Sequence, residues 1–175
     1  AGLLKRLSDQ ELMVSVIGQF KRGKSSLINA LLGENILPVA IVPLTSVVTK
    51  IRKGSAFSAT VLFADGSSRS IGRGELAEYI SEEKNPDNSK RVAKVEIWTE
   101  HSPFSRGITL VDTPGVGSIH HHNTETSNEY IEKSDASLFL FSVDSPVSEV
   151  ERDFMLRARA HAAKFYYAVN KVDLI

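Results

Sequence analysis

The chain has 175 residues, with Lys+Arg and Asp+Glu both at 21 and no cysteine. That length suits one domain with a sizeable core, and the balanced charge argues against a nucleic-acid partner or strong nonspecific attraction to anionic lipid. The missing cysteine excludes a disulfide framework, a thiol nucleophile and a cysteine metal site; no apolar run reaches bilayer length, and Ala1–Arg6 has no signal-peptide plan, so a soluble, cytoplasmic chain is expected.

In chain order, residues 2–10 read as a short amphipathic helix with Leu3, Leu4 and Leu7 on one side. Leu12–Ile17 reads as a buried strand, and the helix after it runs from about Ser26 to Leu32, where Gly33 is a natural stop. Residues 34–46, with Pro38 and Pro43, read as a loop. Val47–Arg52 reads as a strand, and Ala56–Phe63 with Ser68–Ile71 as a hairpin around Asp65-Gly66. A helix is expected over Gly74–Glu83, a polar connector over 84–90, and a strand over Val92–Thr99. In that strand Val92, Lys94 and Glu96 alternate against Ala93, Val95 and Ile97, which predicts one wet face. Trp98 is expected to pack beneath the preceding helix. Ile108–Val111 and Ala136–Val143 are continuous apolar runs, as in central parallel strands. Helices are expected over Asn123–Lys133 and Ser148–His161, with Ser148 as cap, and Phe165–Val169 as the last core strand. Glu149, Glu151, Arg152 and Arg157 read as a solvated helix face; Phe139, Phe141, Phe165, Tyr166 and Tyr167 read as core. The alternation predicts an α/β sandwich around a mostly parallel central sheet.

The segment Gly18-Gln19-Phe20-Lys21-Arg22-Gly23-Lys24-Ser25 carries the chemistry. Two glycines with four residues between them, then Lys and Ser, lie between a strand and a helix, the context of a phosphate-binding loop. Glycine lets backbone N–H groups turn toward phosphate oxygens, and the helix N-terminus adds partial positive charge. Lys24 reaches the β- and γ-phosphates, and the Ser25 hydroxyl ligates Mg²⁺. Downstream, Asp112-Thr113-Pro114-Gly115 follows a strand: Asp112 is expected to hold Mg²⁺ through water, and the Gly115 N–H to meet the γ-phosphate. Asn170-Lys171-Val172-Asp173 follows the last strand. A carboxylate at Asp173 accepts both N1–H and N2–H₂ of guanine and so selects it over adenine; Asn170 holds the loop or contacts the base, and the Lys171 stem lies across it. Between these motifs a threonine is expected to close over the metal. Thr45, in a loop, is preferred to Thr49, inside a predicted strand. The three motifs place the site at the carboxyl edge of the sheet, and the reaction implied is attack of water on the γ-phosphate of GTP.

These residues carry a resemblance. The run Gly18 to Gly33, the segment Ile36-Leu37-Pro38 through Thr49, and the interval from Asp65-Gly66 to Asp112 resemble the GTPase domain of bacterial dynamin-like proteins, over nearly the whole chain. The resemblance implies a P-loop NTPase three-layer sandwich, with an insert of hairpin, helix and strand at about residues 54–107 between the first switch and Asp112. Small Ras-like GTPases cover that interval with a short two-strand connection. It implies a GTPase using Mg²⁺ with GTP or GDP, a homodimer across the nucleotide face, and membrane remodelling through regions outside this chain, with peripheral membrane attachment in the longer protein; the balanced charge adds that no nucleic-acid partner is expected. Gly18, Phe20, Lys21, Arg22, Gly23, Lys24, Ser25, Ser26, Gly115, Asn170, Lys171 and Asp173 are the expected nucleotide contacts, with Ser25, Thr45 and Asp112 at the metal and Lys24, Thr45 and Lys21 catalytic. Residues 1–175 read as one such domain, ending shortly after Asp173 and so leaving a sheet edge unpaired.

Two features depart from the eukaryotic dynamin pattern. Phe20 stands where a water-positioning glutamine is expected, with Gln19 beside it pointing elsewhere. Lys21 matches an arginine that stabilises the transition state in guanylate-binding proteins, so Lys21 or Arg22 is expected to offer that charge; the alternative is two solvated loop cations. His120-His121-His122 reads as a mobile polar loop rather than a metal site, since adjacent loop residues diverge. Two alternatives stay open: a nucleotide-gated binding module with negligible turnover, and a Ras-like or ribosome-assembly GTPase, which a short hairpin between Thr45 and Asp112 would favour.

Overall fold

Apolar runs in four segments form the centre of the molecule. In the computed structural model, which describes residues 12–39, 47–101, 107–115 and 129–174, they are β1 (Leu12–Ile17), β6 (Ile108–Asp112), β7 (Ala136–Ser142) and β8 (Phe165–Asn170). β1 pairs in parallel with β6 and β7, and β7 in parallel with β8. All four carboxyl ends therefore open at one edge. The expected elements at 2–10, Thr45 and His120-His121-His122 lie outside the described residues, as does the first part of the helix expected at 123–133, of which 129–133 (α3) are helical.

Beyond β6 the sheet changes direction. β2 (Thr49–Lys53) is antiparallel to β6 and parallel to β5 (Val92–Thr99). β3 (Ser58–Phe63) and β4 (Ser68–Ile71) complete a single eight-stranded sheet in the order β4-β3-β5-β2-β6-β1-β7-β8. The interval before Asp112 thus holds a hairpin, a helix and two further strands, not a lone short hairpin. The sheet is mixed, with its parallel half under the site.

Helices cover both faces of the sheet. α1 (Lys24–Leu32), and beyond β6 the short α2 (Leu76–Ile80) beside β5, lie over one core that includes Val16, Ile28, Leu32, Ile51, Val95, Ile97 and Leu110. On the other face, α4 (Glu149–His161) and α3 enclose Ile17, Ile131, Phe139, Phe154 and Ala158, with Met13, Val48, Val111 and Tyr130 beside them. Local signals account for the ends. α1 stops at Gly33, whose φ of 69° is left-handed and disfavours a β-carbon. α4 starts at Ser148, whose Oγ accepts from the Glu151 N–H at 3.1 Å.

Several expected elements shift. The helix expected over Gly74–Glu83 is a 3-10 turn, Arg73–Glu75, running into five α-helical residues. It ends at Ser81, which turns extended while Asn85 Nδ2 takes the Tyr79 carbonyl at 2.8 Å. In β5 the wet and dry positions are partly reversed: Val92 is buried and Ala93 exposed. The cause is a bulge, where the pairing jumps from Leu62↔Lys94 to Phe63↔Val92 and leaves Ala93 unpaired. Trp98 is half-buried with the Arg52 guanidinium 5.8 Å from its ring centroid. Tyr166, Tyr167 and Val169 are about half exposed, and among the described residues β8 pairs with β7 alone. Among the described residues no helix is long and apolar enough to cross a membrane.

Candidate functional site

The loop from Gly18 to Lys24 is shaped by close approaches. A β-carbon at Gly18 (φ 149°) would meet the Leu140 carbonyl oxygen at 2.6 Å, and one at Gly23 (φ 90°) would meet Asn170 Nδ2 at 2.4 Å. Neither position admits a side chain. Lys21 is also left-handed (φ 65°) and exposed, its ammonium 5.4 Å from the Phe20 ring centroid. Lys24 opens α1 and is buried; its Nζ donates to the Gly18 and Gln19 carbonyls at 3.1 and 3.2 Å. Burial lowers its pKa to about 8, against the pull of Asp112 and Glu151. The ammonium thus closes the loop from inside, where a phosphate tail would lie.

Asp112 ends β6 directly beside the start of α1. Ser25 Oγ donates to its Oδ2 at 2.6 Å, while Oδ1 is buried with no partner. Burial pushes this carboxyl up to about 6. A carboxylate with one free oxygen next to a serine hydroxyl is a donor set for a hard, oxygen-seeking cation, so Ser25 and Asp112 fit Mg²⁺. Thr49 faces Asp112 across the β2–β6 ladder, fully buried, with its Oγ1 also unpartnered. Next to it, Thr113 Oγ1 donates to the Val16 carbonyl at 2.9 Å and holds the motif onto β1. Gly115 is pressed on the phosphate loop: a β-carbon there would lie 2.9 Å from Phe20 Cα, 3.0 Å from Phe20 N and 3.2 Å from Lys24 Nζ.

The third motif reaches the same loop. Asn170 Nδ2 donates to the Arg22 carbonyl at 3.0 Å, so Asn170 ties the end of β8 to the phosphate loop. Lys171 Nζ meets Asp144 Oδ2 at 2.6 Å, which with Ser142 holds the Asp144 carboxyl below its ordinary range. Asp173 is exposed in a single 3-10 turn, Val172–Leu174.

Arg22 and Glu151 correct the sequence expectation. Neither is solvated: their side chains are 2% and 0% exposed and form a two-point ion pair, with Nε–Oε1 at 3.0 Å and Nη2–Oε2 at 2.5 Å. Arg22 is therefore occupied and unavailable as a catalytic cation, which leaves Lys21 as the exposed charge of the loop. Gln19 turns the same way, its Nε2 3.2 Å from Ser148 Oγ. Glu151 was detectable in the sequence. Phe154 and Ala158, three and seven positions on, are the other buried residues of α4, so the helical period places Glu151 on its inner stripe.

Comparison with known proteins agrees with this fold. A solved structure described as an oligomerised bacterial dynamin pair in the long range sensing and tethering of membranes aligns with a TM-score of 0.74 and 24% identity, over 99% of this chain and 28% of that one. The "Uncharacterized protein in xynA 3'region" of Caldicellulosiruptor sp. (strain Rt8B.4) is 42% identical over 175 residues, 99% of this chain and 44% of its own length. "Bacterial dynamin-like protein" of Nostoc punctiforme is 29% identical over 98% of the chain, and "Dynamin-like protein A" of Bacillus subtilis 24% over 99%. The chain spans only 26% and 14% of these two relatives. The model of the Dynamin family matches residues 14–173. A glycine loop, a strand-end aspartate and an asparagine after the last strand meet at one sheet edge, with a hairpin, a helix and a further strand inserted before the aspartate, and the family match over nearly the whole length shows that the chain belongs to the dynamin family as a GTPase domain.

Proposed function

We propose that this domain binds GTP and GDP with Mg²⁺ and hydrolyses GTP, and that in the longer protein turnover is coupled to self-assembly and membrane remodelling at the cytoplasmic face of a membrane. The observation that carries the reading is Asp112, buried at the strand end, hydrogen-bonded to Ser25 through one oxygen and unpartnered at the other. Ser25, Asp112 and Thr45 would hold the ion, which neutralises developing phosphate charge when bound. The loop N–H groups from Gly18 to Ser26 bind the phosphates, Lys24 neutralises the β- and γ-oxygens, and Gly115 brings its N–H to the γ-phosphate. Asp173 accepts from the guanine edge, while Asn170 and the Lys171 stem hold the base. Two copies meet across the nucleotide in this reading; the oligomerised dynamin pair among the structural neighbours supports self-association as such.

Phe20 and the engaged Arg22 favour a second reading, a nucleotide-gated module that turns over slowly alone. Neither residue offers a group to orient water or a free cation, and Lys21 alone remains. Calorimetry with GTP, GDP and ATP, with and without Mg²⁺, tests binding; phosphate release against protein concentration tests turnover. Equal affinity for guanosine and adenosine nucleotides would defeat the whole reading. Guanosine-selective binding with release that stays negligible as concentration rises would leave only the module.

A further inference from the structure

Arg22 belongs to the phosphate loop, yet its side chain runs away from the expected nucleotide and ends in the protein interior. Each arm of the guanidinium is used. Besides Glu151, Nη1 donates to Ser142 Oγ at 3.0 Å and to the Ser145 carbonyl at 2.8 Å, and Nη2 to the Pro146 carbonyl at 2.9 Å. The backbone carbonyl of the same residue accepts from Asn170. One residue therefore joins the phosphate loop, the connection after β7, the first turn of α4 and the base loop. On either side of it, Lys21 and Gly23 take left-handed backbone angles, so the turn that aims the loop N–H groups is built around this anchored position.

Stability is a weak reason for such a pair, because a buried ion pair replaced by apolar side chains of like volume often costs nothing. Geometry is a better one: phosphate contacts depend on N–H groups held within a fraction of an ångström. We propose that the Arg22–Glu151 pair is a positioning device that fixes the curvature of the phosphate loop, so that the Arg22 side chain sets affinity for the phosphate tail without itself touching the nucleotide. The inference rests on the guanine-nucleotide reading above. Its signature is confined to the phosphates: affinity for GDP falls when the pair is altered, while affinity for GMP, carried mostly by the base loop, changes little.

The test uses the whole 175-residue chain, with a fluorescent GDP displaced by GDP or by GMP in the presence of Mg²⁺ and thermal melts in parallel. Arg22→Lys keeps the charge but loses the two-point geometry; Glu151→Gln keeps the shape but removes the counter-charge; the double variant Arg22→Met with Glu151→Leu removes both charges. Each is expected to weaken GDP about tenfold to a hundredfold, the order of loss when an outer-shell orienting contact of a metal site is removed, with GMP nearly unchanged. The double variant leaves no buried charge unpaired but strips the Ser145 and Pro146 carbonyls of their donor, so it is expected to melt below wild type while keeping the weak GDP affinity. Wild-type GDP affinity in the double variant or in Arg22→Lys would overturn the proposal, as would equal loss of GDP and GMP. A wild-type chain that does not prefer guanosine would instead remove the underlying reading, visible before any variant is made.

Discussion

Gly115→Ala puts the convergence of the loops to a direct test. The added methyl group would sit 2.9 Å from Phe20 Cα and 3.0 Å from Phe20 N, both main-chain atoms that cannot swing aside. An ordinary contact starts at 3.4 Å, so the end of β6 and the phosphate loop must part by about half an ångström. Overpacking of this kind costs about 1–3 kcal/mol. If the displacement falls on the loop, that energy comes out of nucleotide binding, a loss of roughly 5- to 150-fold at about 1.4 kcal/mol per tenfold. A fluorescent-GDP titration with Mg²⁺ reads the affinity, and a melt without nucleotide reads the rest. Wild-type affinity with unchanged melting would mean that Gly115 is not seated on the loop, and the reasoning about its N–H would fail with it.

Other outcomes follow from the same geometry. Thr49→Val replaces a buried hydroxyl without a partner by a methyl group, and is expected to raise the stability of the nucleotide-free chain by about 1 kcal/mol in a denaturant melt; a loss of stability would mean that the hydroxyl is satisfied by a bound water. Lys171→Ala removes a partly exposed ion pair with Asp144 worth at most about 1 kcal/mol, so melting barely moves while guanosine affinity falls; unchanged affinity would exclude the Lys171 stem from the base site. Asp112 titrates near 6 in the folded, metal-free chain against an ordinary 3.8. Between those values the folded form keeps a proton that the unfolded form has released. Stability therefore falls as pH rises from about 4 to 6 and then levels, by on the order of 3 kcal/mol at about 1.36 per unit. The stability of wild type minus that of Asp112→Asn, measured at pH 4, 5, 6 and 7, isolates this contribution; a difference that grows in favour of wild type with pH would contradict the sign.

Much of the parallel half of this fold was legible because its signals are local. Apolar runs marked β1, β6 and β7, Gly33 marked the end of α1, and Ser148 marked the start of α4. Motif spacing also identified Ser25, Asp112 and Asn170, which hydrogen bonds bring to one loop. What escaped depends on contacts between distant segments. Arg22 and Glu151 are 129 positions apart, and a charge in a glycine loop reads as solvated unless a counter-charge on an inward helical stripe is sought. Tyr166 and Tyr167 look like core in isolation, but strand order puts them at an edge. Alternation in β5 fails at one residue because a bulge shifts the phase, and pairing rather than composition decides where a bulge falls.

That bulge also makes the wing hard to mis-thread. Sliding β3 along β5 by one step would carry Phe63 away from Val92 and turn buried Val61 toward water, so the extra residue at Ala93 works as an index mark for the ladder. Shortening the chain there, rather than changing the side chain, is what would erase the mark: without Ala93 the ladder runs as a regular zigzag with Val92 still opposite Phe63, and nothing then distinguishes one step of the pairing from the next.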